Sequence, residues 1–252
     1  LPIFIRGDDL EWGLRNMKNL ILMNGICVWH EPFDYKYASS MEYYVFRNKF
    51  IDNAFHCPSY GVKNLKIDVI KHAVKEIYCY RYQNVDLLFR GVKDYLRGPA
   101  KFSKIDAVEL HKDIMKYGYK LQPLTECSVS FNVESFEKTR YLVERKFMPT
   151  KAKLRFLNFN GLFLRAKGSK IVPIVHNFPD SFYRKKSVLH YDELTGKGFV
   201  TTKSLSKSLK YLFKLVGVLI SIDFLMPKAK KQWGTKGLEL RTLKFWKNYL
   251  EI

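Results

Sequence analysis

Gly7-Asp8-Asp9-Leu10-Glu11-Trp12-Gly13-Leu14-Arg15, answered a short distance later by Val28-Trp29-His30-Glu31-Pro32, is the stretch whose reading decides this chain. An apolar extended run, Leu1 to Ile5, gives way there to a helical pattern, and a second apolar run, Ile26 to Trp29, ends on an imidazole. Carboxylates and a histidine at the ends of apolar runs are how a site is built at strand ends. Asp8 is placed to cap the helix, because its side-chain oxygen can accept an orphan amide N–H of the first turn. Leu10, Leu14 and Met17 recur at helical spacing and predict one buried face. Asp9 and Glu11 are then free for chemistry. Plainer readings compete: acidic residues in a first turn complement the helix dipole, and a histidine after a strand is commonly a hydrogen-bonded loop residue.

Outward from that stretch, Asn24-Gly25 signals a turn, and a polar loop through Pro32 leads to a helix expected to open at Ser39 with Glu42 completing a capping box. Tyr43 and Arg47 stand one turn apart on it, as do Tyr44 and Asn48. Such a face offers a cation to a diphosphate, or amide and hydroxyl groups to a sugar. The alternative is that Arg47 pairs with a local carboxylate while the tyrosines belong to the core.

Asp-Asp-x-Glu-x-Gly-Leu-Arg, then Trp-His-x-Pro, then Tyr43-Tyr44-x-x-Arg47-Asn48 resembles the second half of the catalytic domain of family 2 glycosyltransferases. In pattern it is nearest the galactofuranosyltransferases that build bacterial galactan, with rhamnosyltransferases next. Trp233 and Phe245-Trp246-Lys247-Asn248-Tyr249-Leu250 are similar, more weakly, to the family's closing segment. The resemblance implies an inverting, GT-A-type transfer from UDP-galactofuranose or a related nucleotide sugar to a glycan or lipid-linked glycan. Asp9 corresponds to the general base. His30 corresponds to a ligand of the divalent metal, manganese or magnesium, that holds the nucleotide diphosphate. Asp8, Glu11, Trp12, Arg47 and Asn48 become candidate substrate-binding residues around them. The implied setting is cytoplasmic, peripheral on the inner face of the plasma membrane.

There is one departure. The family's nucleotide-binding half carries an Asp-x-Asp metal motif, and this sequence contains no Asp-x-Asp. The chain therefore reads as the C-terminal portion of a longer enzyme, inactive alone. A competing class is a binding module, in which residues 61–252 hold an anionic membrane or a partner and the motifs are residual.

Composition bounds these readings. The 252 residues are 47% hydrophobic, ample for a core, and carry a formal net charge of +20. Residues 1–60 hold 6 basic and 7 acidic side chains, whereas residues 138–252 hold 25 and 7. So basic a region suggests a polyanionic partner: nucleic acid, an anionic membrane surface or a phosphorylated substrate. Zinc-finger spacing and an RNA-recognition signature are missing, which disfavours nucleic acid. Cys27, Cys57, Cys79 and Cys127 are widely spaced, without a Cys-x-x-Cys pair, and read as reduced thiols. The longest uncharged apolar run in the basic region, Leu215 to Ile222, falls far short of the roughly 20 residues of a spanning helix.

Cys57-Pro58-Ser59-Tyr60-Gly61 marks the expected boundary between residues 1–60, the C-terminal portion of a GT-A catalytic domain, and a basic region, residues 61–252. Leu65, Val69, Ala73 and Ile77, then Val85, Leu88, Val92 and Tyr95, repeat at helical spacing until Gly98-Pro99. Ser103 with Asp106 opens a third helix, ending near Gly118, and the three read as a packed antiparallel group. Residues 134–147 look helical. Leu154 to Leu164, around Asn160-Gly161, reads as a hairpin. Ile171 to Val175, Val188 to Tyr191 and Phe199 to Thr202 are strand candidates, the last two joined by a loop containing Gly196 and Gly198. Ser204 to Phe224 reads as a helix with Leu205, Leu209, Leu212, Val216 and Leu219 on one side and Lys203, Lys207, Lys210 and Lys214 flanking it. Such a helix lies in a membrane interface or buries its stripe as core. The class is α+β, mainly helical with a small sheet.

Overall fold

The computed structural model describes residues 5–19, 21, 23–25, 27, 39–144, 155 and 158–250. In chain order the elements are α1 (Asp8–Asn16), α2 (Met41–His56), α3 (Val62–Tyr78), α4 (Tyr82–Leu96), α5 (Pro99–Phe102), α6 (Ala107–Lys116), β1 (Gln122–Pro123), α7 (Val133–Glu144), β2 (Ser169–Pro173), β3 (Ser187–Asp192), β4 (Lys197–Thr202), α8 (Leu205–Gly234) and α9 (Leu243–Leu250). The fold is mixed, with helices dominant and one sheet of order β1-β4-β3-β2. β2 pairs with β3 in parallel, and the other neighbours are antiparallel.

Helical spacing in α3 and α4 does what hydrophobic burial requires. Leu65, Val69, Ala73, Ile77, Val85 and Leu88 are fully buried, in one core with Phe50, Ile51, Ile222 and Trp233. The group differs from the expected trio: α3 and α4 pack with α2 and α8, and α2 against α4 is the most extensive pairing among the described elements. Packing thus crosses position 60. Gly91 permits it, because a Cβ there would stand 2.8 Å from the Tyr43 carbonyl oxygen and 3.2 Å from the Arg47 amide nitrogen. Gly98-Pro99 ends α4 as expected but at once starts α5, with Pro99 in the first turn where its missing N–H costs nothing. Asp106, not Ser103, caps α6 by accepting from the Val108 and Glu109 amides.

The sheet lies between α7 and the helices. Ile171 and Leu189 meet Val129 and Phe136 on one side, while Val172 and Val188 join the main core on the other. The turn between α3 and α4 is tied to this layer: Tyr80 Oη donates to the Phe182 carbonyl at 2.6 Å, and Arg81 spans from Glu76 Oε1 (2.7 Å) to the His176 carbonyl. His176 and His190 are buried here, and burial pushes both imidazoles down, His176 to about 3. The three strand expectations hold. Gly198 lies in β4 rather than in the loop, where Asp192 instead accepts from the Leu194 amide and the Thr195 hydroxyl.

Several local expectations fail for identifiable reasons. Gly7, in the left-handed region at φ 83°, precedes α1 without a side-chain cap, so Asp8 does not cap it. Ser39 and Glu42 form no capping box. Ser40 precedes α2, and the Ser39 hydroxyl donates instead to Asn84 Oδ1 at 2.5 Å, a tertiary bond that sequence spacing cannot reveal. Asn160-Gly161 sits in a 3₁₀ turn held by the Asn158 side chain, not in a hairpin; much of the run before it lies outside the described residues. α8 runs ten residues past Phe224, and its buried seam is Tyr211, Leu215, Ile222, Met226, Ala229 and Trp233; of the expected stripe Leu212 and Leu219 pack beside that seam, while Leu205 and Val216 are exposed.

Candidate active site

α1 inverts the usual pattern of an amphipathic helix. Leu10, Leu14 and Met17 are exposed, against expectation, and Trp12 is 64% exposed. The buried side chain is Glu11, at 2%. Glu11 Oε1 accepts from Arg241 Nη2 at 2.7 Å and meets His56 Nε2 at 3.3 Å, and Arg15 stands 3.5 Å from Oε2. Arg241 in turn lies over Phe55, 3.9 Å from the ring centre. A buried carboxylate needs such partners to offset its desolvation. Glu11 thus acts as the pin that fixes α1 to α2 and to the segment before α9.

Pinning Glu11 turns the preceding residues outward. Asp8 and Asp9 are exposed, and Asp9 Oδ1 accepts the Leu10 amide at 2.8 Å. Both line an open cleft of about 840 Å³, whose opposite wall is α2 through Asn48, Lys49, Asp52, Asn53 and His56. Asn48 Nδ2 donates to the Arg6 carbonyl at 2.6 Å and so holds the residues that lead into α1 against that wall. A cleft of this size suits a sugar-sized ligand.

Asp52 is the feature the sequence reading missed. The residue is only 8% exposed, its Oδ1 has no hydrogen-bond partner among the described residues, and its Oδ2 faces Gly7, where a Cβ would come within 3.2 Å. Desolvation pushes this acid up to about 7, reinforced by Glu11, opposed by Arg241, and reinforced again by Asp8 and Asp9. The signal was present: Asn48, Asp52 and His56 recur every fourth residue and must share one face of α2.

The remaining candidates do not converge on the cleft. Arg47 is buried, with its guanidinium 5.0, 5.2 and 4.9 Å from the ring centres of Tyr43, Tyr44 and Phe102. It donates to Tyr43 Oη, which donates to Asp94 at 2.8 Å. Tyr43 and Tyr44 are core residues, as the plainer reading had it. Arg47 borders instead a narrow apolar cavity of about 80 Å³ with His111 and Phe245. His30 lies outside the described residues. Among the described residues no group of three or more His, Cys, Asp or Glu is arranged to hold a metal ion.

No family model matches the chain. Over 110 residues, 42% of its length, the chain is 28% identical to a protein named galactofuranosyltransferase GlfT2 from Mycolicibacterium smegmatis. Over 106 residues, 39% of its length, it is 28% identical to the protein of the same name from Mycobacterium tuberculosis. Each match spans 17% of the relative's own length.

Proposed function

We propose that this chain takes part in glycosyl transfer, forming the acceptor side of an inverting, GT-A-type site of the family 2 kind. The donor is UDP-galactofuranose or a related nucleotide sugar, and the acceptor a glycan, free or lipid-linked, at the inner face of the plasma membrane. The observation that carries this reading is Asp9: a carboxylate at the start of a helix, open to solvent, on the rim of a sugar-sized cleft. The partial likeness to two galactofuranosyltransferases supports it.

In this reaction the acceptor hydroxyl oxygen bonds to the anomeric carbon while its proton passes to an Asp9 oxygen. The bond from that carbon to the diphosphate breaks with its electron pair, and configuration inverts. Proton removal at a developing C–O bond is general-base work. On the facing wall Asn48 is buried and bonded to Arg6 and Arg47, so it supports the wall rather than reaching a sugar, while an Asp52 carboxyl that keeps its proton to about pH 7 can donate as well as accept. Glu11 supports the site by orienting α1. Trp12 and Arg47 stand away from the cleft wall. A divalent cation, manganese or magnesium, when bound, neutralises the leaving diphosphate. Hard cations take oxygen ligands, so oxygen donors besides the His30 imidazole would have to complete its site.

The test uses the natural polypeptide that contains these residues. Asp9→Asn is expected to lower turnover 10²–10⁴-fold, roughly the range for loss of a general base, with UDP binding nearly unchanged. Asp8→Asn, which removes no cap, is expected to leave both folding and turnover close to normal. Loss of activity in Asp8→Asn with retention in Asp9→Asn would move the base to Asp8. Retention in both would end the catalytic reading.

A further inference from the structure

One end of the sheet is a row of cations. β2 and β3 start there and β4 ends there, so the chain passes it three times: at Arg165 and Lys167 before β2, at Arg184, Lys185 and Lys186 before β3, and at Lys203 after β4. Main-chain bonds hold the three passages side by side. The Lys203 amide donates to the Lys186 carbonyl at 2.9 Å, the Lys186 amide to the Gly168 carbonyl at 2.8 Å, and the Lys167 amide to the Arg184 carbonyl. The row is three strands wide, about 10 Å at roughly 4.8 Å per strand. Arg184 holds a left-handed backbone, φ 57°, which residues other than glycine adopt rarely and mostly at sites of function.

Residues 158–172, 181–191 and 197–222 contain no aspartate or glutamate. The acids nearest in sequence are already engaged: Asp180 pairs with Arg155, Glu193 pairs with Arg140, and Asp192 accepts from Leu194 and Thr195 at the opposite end of the sheet. None of the six cations therefore has a carboxylate partner among the described residues. Burial pushes the Lys203 ammonium down, and the Arg184 guanidinium pushes it the same way. Lys203 Nζ donates to the Gly161 and Leu164 carbonyls at 2.7 and 2.6 Å. Those bonds fasten beside the row the loop that carries Phe159 and Phe163, which are 49% and 61% exposed and stand edge to face at 5.8 Å. We infer that this end of the sheet docks an anionic glycan, whose carboxylate or phosphate groups meet Lys167, Arg184 and Lys186 while a sugar ring lies on Phe163.

Two exposed rings packed on each other make a single stacking platform. A single-stranded nucleic acid takes a longer basic track, with aromatic rings for successive bases. A sugar ring offers its apolar C–H face to one aromatic ring and its charged substituents to the cations on either side. The choice of a glycan rests on the proposed glycosyl transfer, whereas the row of unpaired cations does not. None of these residues lines the cleft beside Asp9, so the site holds the glycan away from its reacting hydroxyl.

Fluorescence anisotropy of labelled oligogalacturonate, a glycan with a carboxylate on every sugar, tests the site on the full chain, with neutral dextran oligosaccharide, oligothymidylate and phosphatidylglycerol vesicles as the competing ligands. Oligogalacturonate is expected to bind, less tightly as salt rises, and dextran not to bind. Lys167→Gln/Lys186→Gln should lower the affinity about tenfold and Phe163→Ala about threefold, with unchanged melting curves because these side chains stand in solvent. Lys228→Gln/Lys231→Gln, which removes equal charge from α8, should leave it unchanged. The proposal is overturned by no binding of oligogalacturonate, by equal loss in the two lysine pairs, by a Phe163→Ala chain that binds like the wild type, or by tighter binding of oligothymidylate or vesicles. Any of these beside an inactive Asp9→Asn strikes the docking site alone. Activity retained in Asp9→Asn, beside oligogalacturonate binding that Lys167→Gln/Lys186→Gln abolishes, strikes the transfer reading and keeps the site.

Discussion

α3 buries Leu65, Val69, Ala73 and Ile77 completely, whereas α1, with Leu10, Leu14 and Met17 at similar spacing, leaves all three in solvent and buries Glu11. Both segments satisfy the periodicity of an amphipathic helix. They differ in what stands beside them. α3 is flanked by α4 and α8, whose apolar side chains complete its surroundings, while α1 is held to the described structure by a carboxylate between Arg241, His56 and Arg15. Periodicity reports that a helix has a face, and only packing reports whether that face is covered. The same lesson recurs within α8, where one apolar face is core and the other is bare.

If α3 and α1 are held by different forces, substitutions should separate them. The largest effect is expected in the packed core: Trp233→Ala removes a fully buried ring that stacks on Tyr95 and donates to the Tyr95 carbonyl at 2.9 Å. It should cost about 4 kcal/mol in urea unfolding. Glu11→Ala leaves the Arg241 guanidinium without its counter-charge and should cost on the order of 3 kcal/mol, as breaking one partner of a buried pair does. Amide exchange in α1 should quicken more than in α3. Equal quickening would mean that Glu11 supports the whole fold rather than one helix.

Asp52 gives a pH-dependent test. Its folded carboxyl keeps a proton to about pH 7, whereas the unfolded acid ionises near 3.8. The native state binds the extra proton, so wild-type stability attributable to Asp52 is complete below about pH 4 and is lost as pH rises through 7. Asp52→Asn, which cannot ionise, should match the wild type near pH 4 and exceed it by on the order of 2 kcal/mol at pH 8. A constant difference across that window would show that Asp52 meets a partner in solution. Smallest of all, Leu10→Ala should change stability by less than about 0.5 kcal/mol, since the side chain is already in water. A cost as large as a core deletion would show that α1 buries its apolar face after all.

Much of the fold is legible in the sequence. The cores of α3 and α4, the strands β2 to β4 and the start of α8 at Ser204 followed from spacing, because a helix face and a strand face repeat at fixed periods whatever surrounds them. The Asp8-Asp9 motif was legible as the start of a helix, and the structure brings both acids and Asn48 to one cleft; the apolar run expected before it lies largely outside the described residues. Glu11 and Arg47 were singled out for chemistry on the same grounds. Their burial comes from Arg241, 230 positions away from Glu11, and from Phe102 over Arg47. Asp52 was passed over because its isolation results from Gly7 and α1 closing over it, which no local pattern records.

By itself, then, the sequence determined which segments are helices and strands, where the positive charge gathers, and that two adjacent acids open a helix. These depend on neighbours within about a turn. The tertiary structure alone decided which apolar faces are covered, which of four clustered carboxylates is buried against arginine, which lacks a partner, and which two stand open to the cleft. Those outcomes depend on desolvation and pairing between residues far apart in the chain, and such energies exist only once distant segments meet.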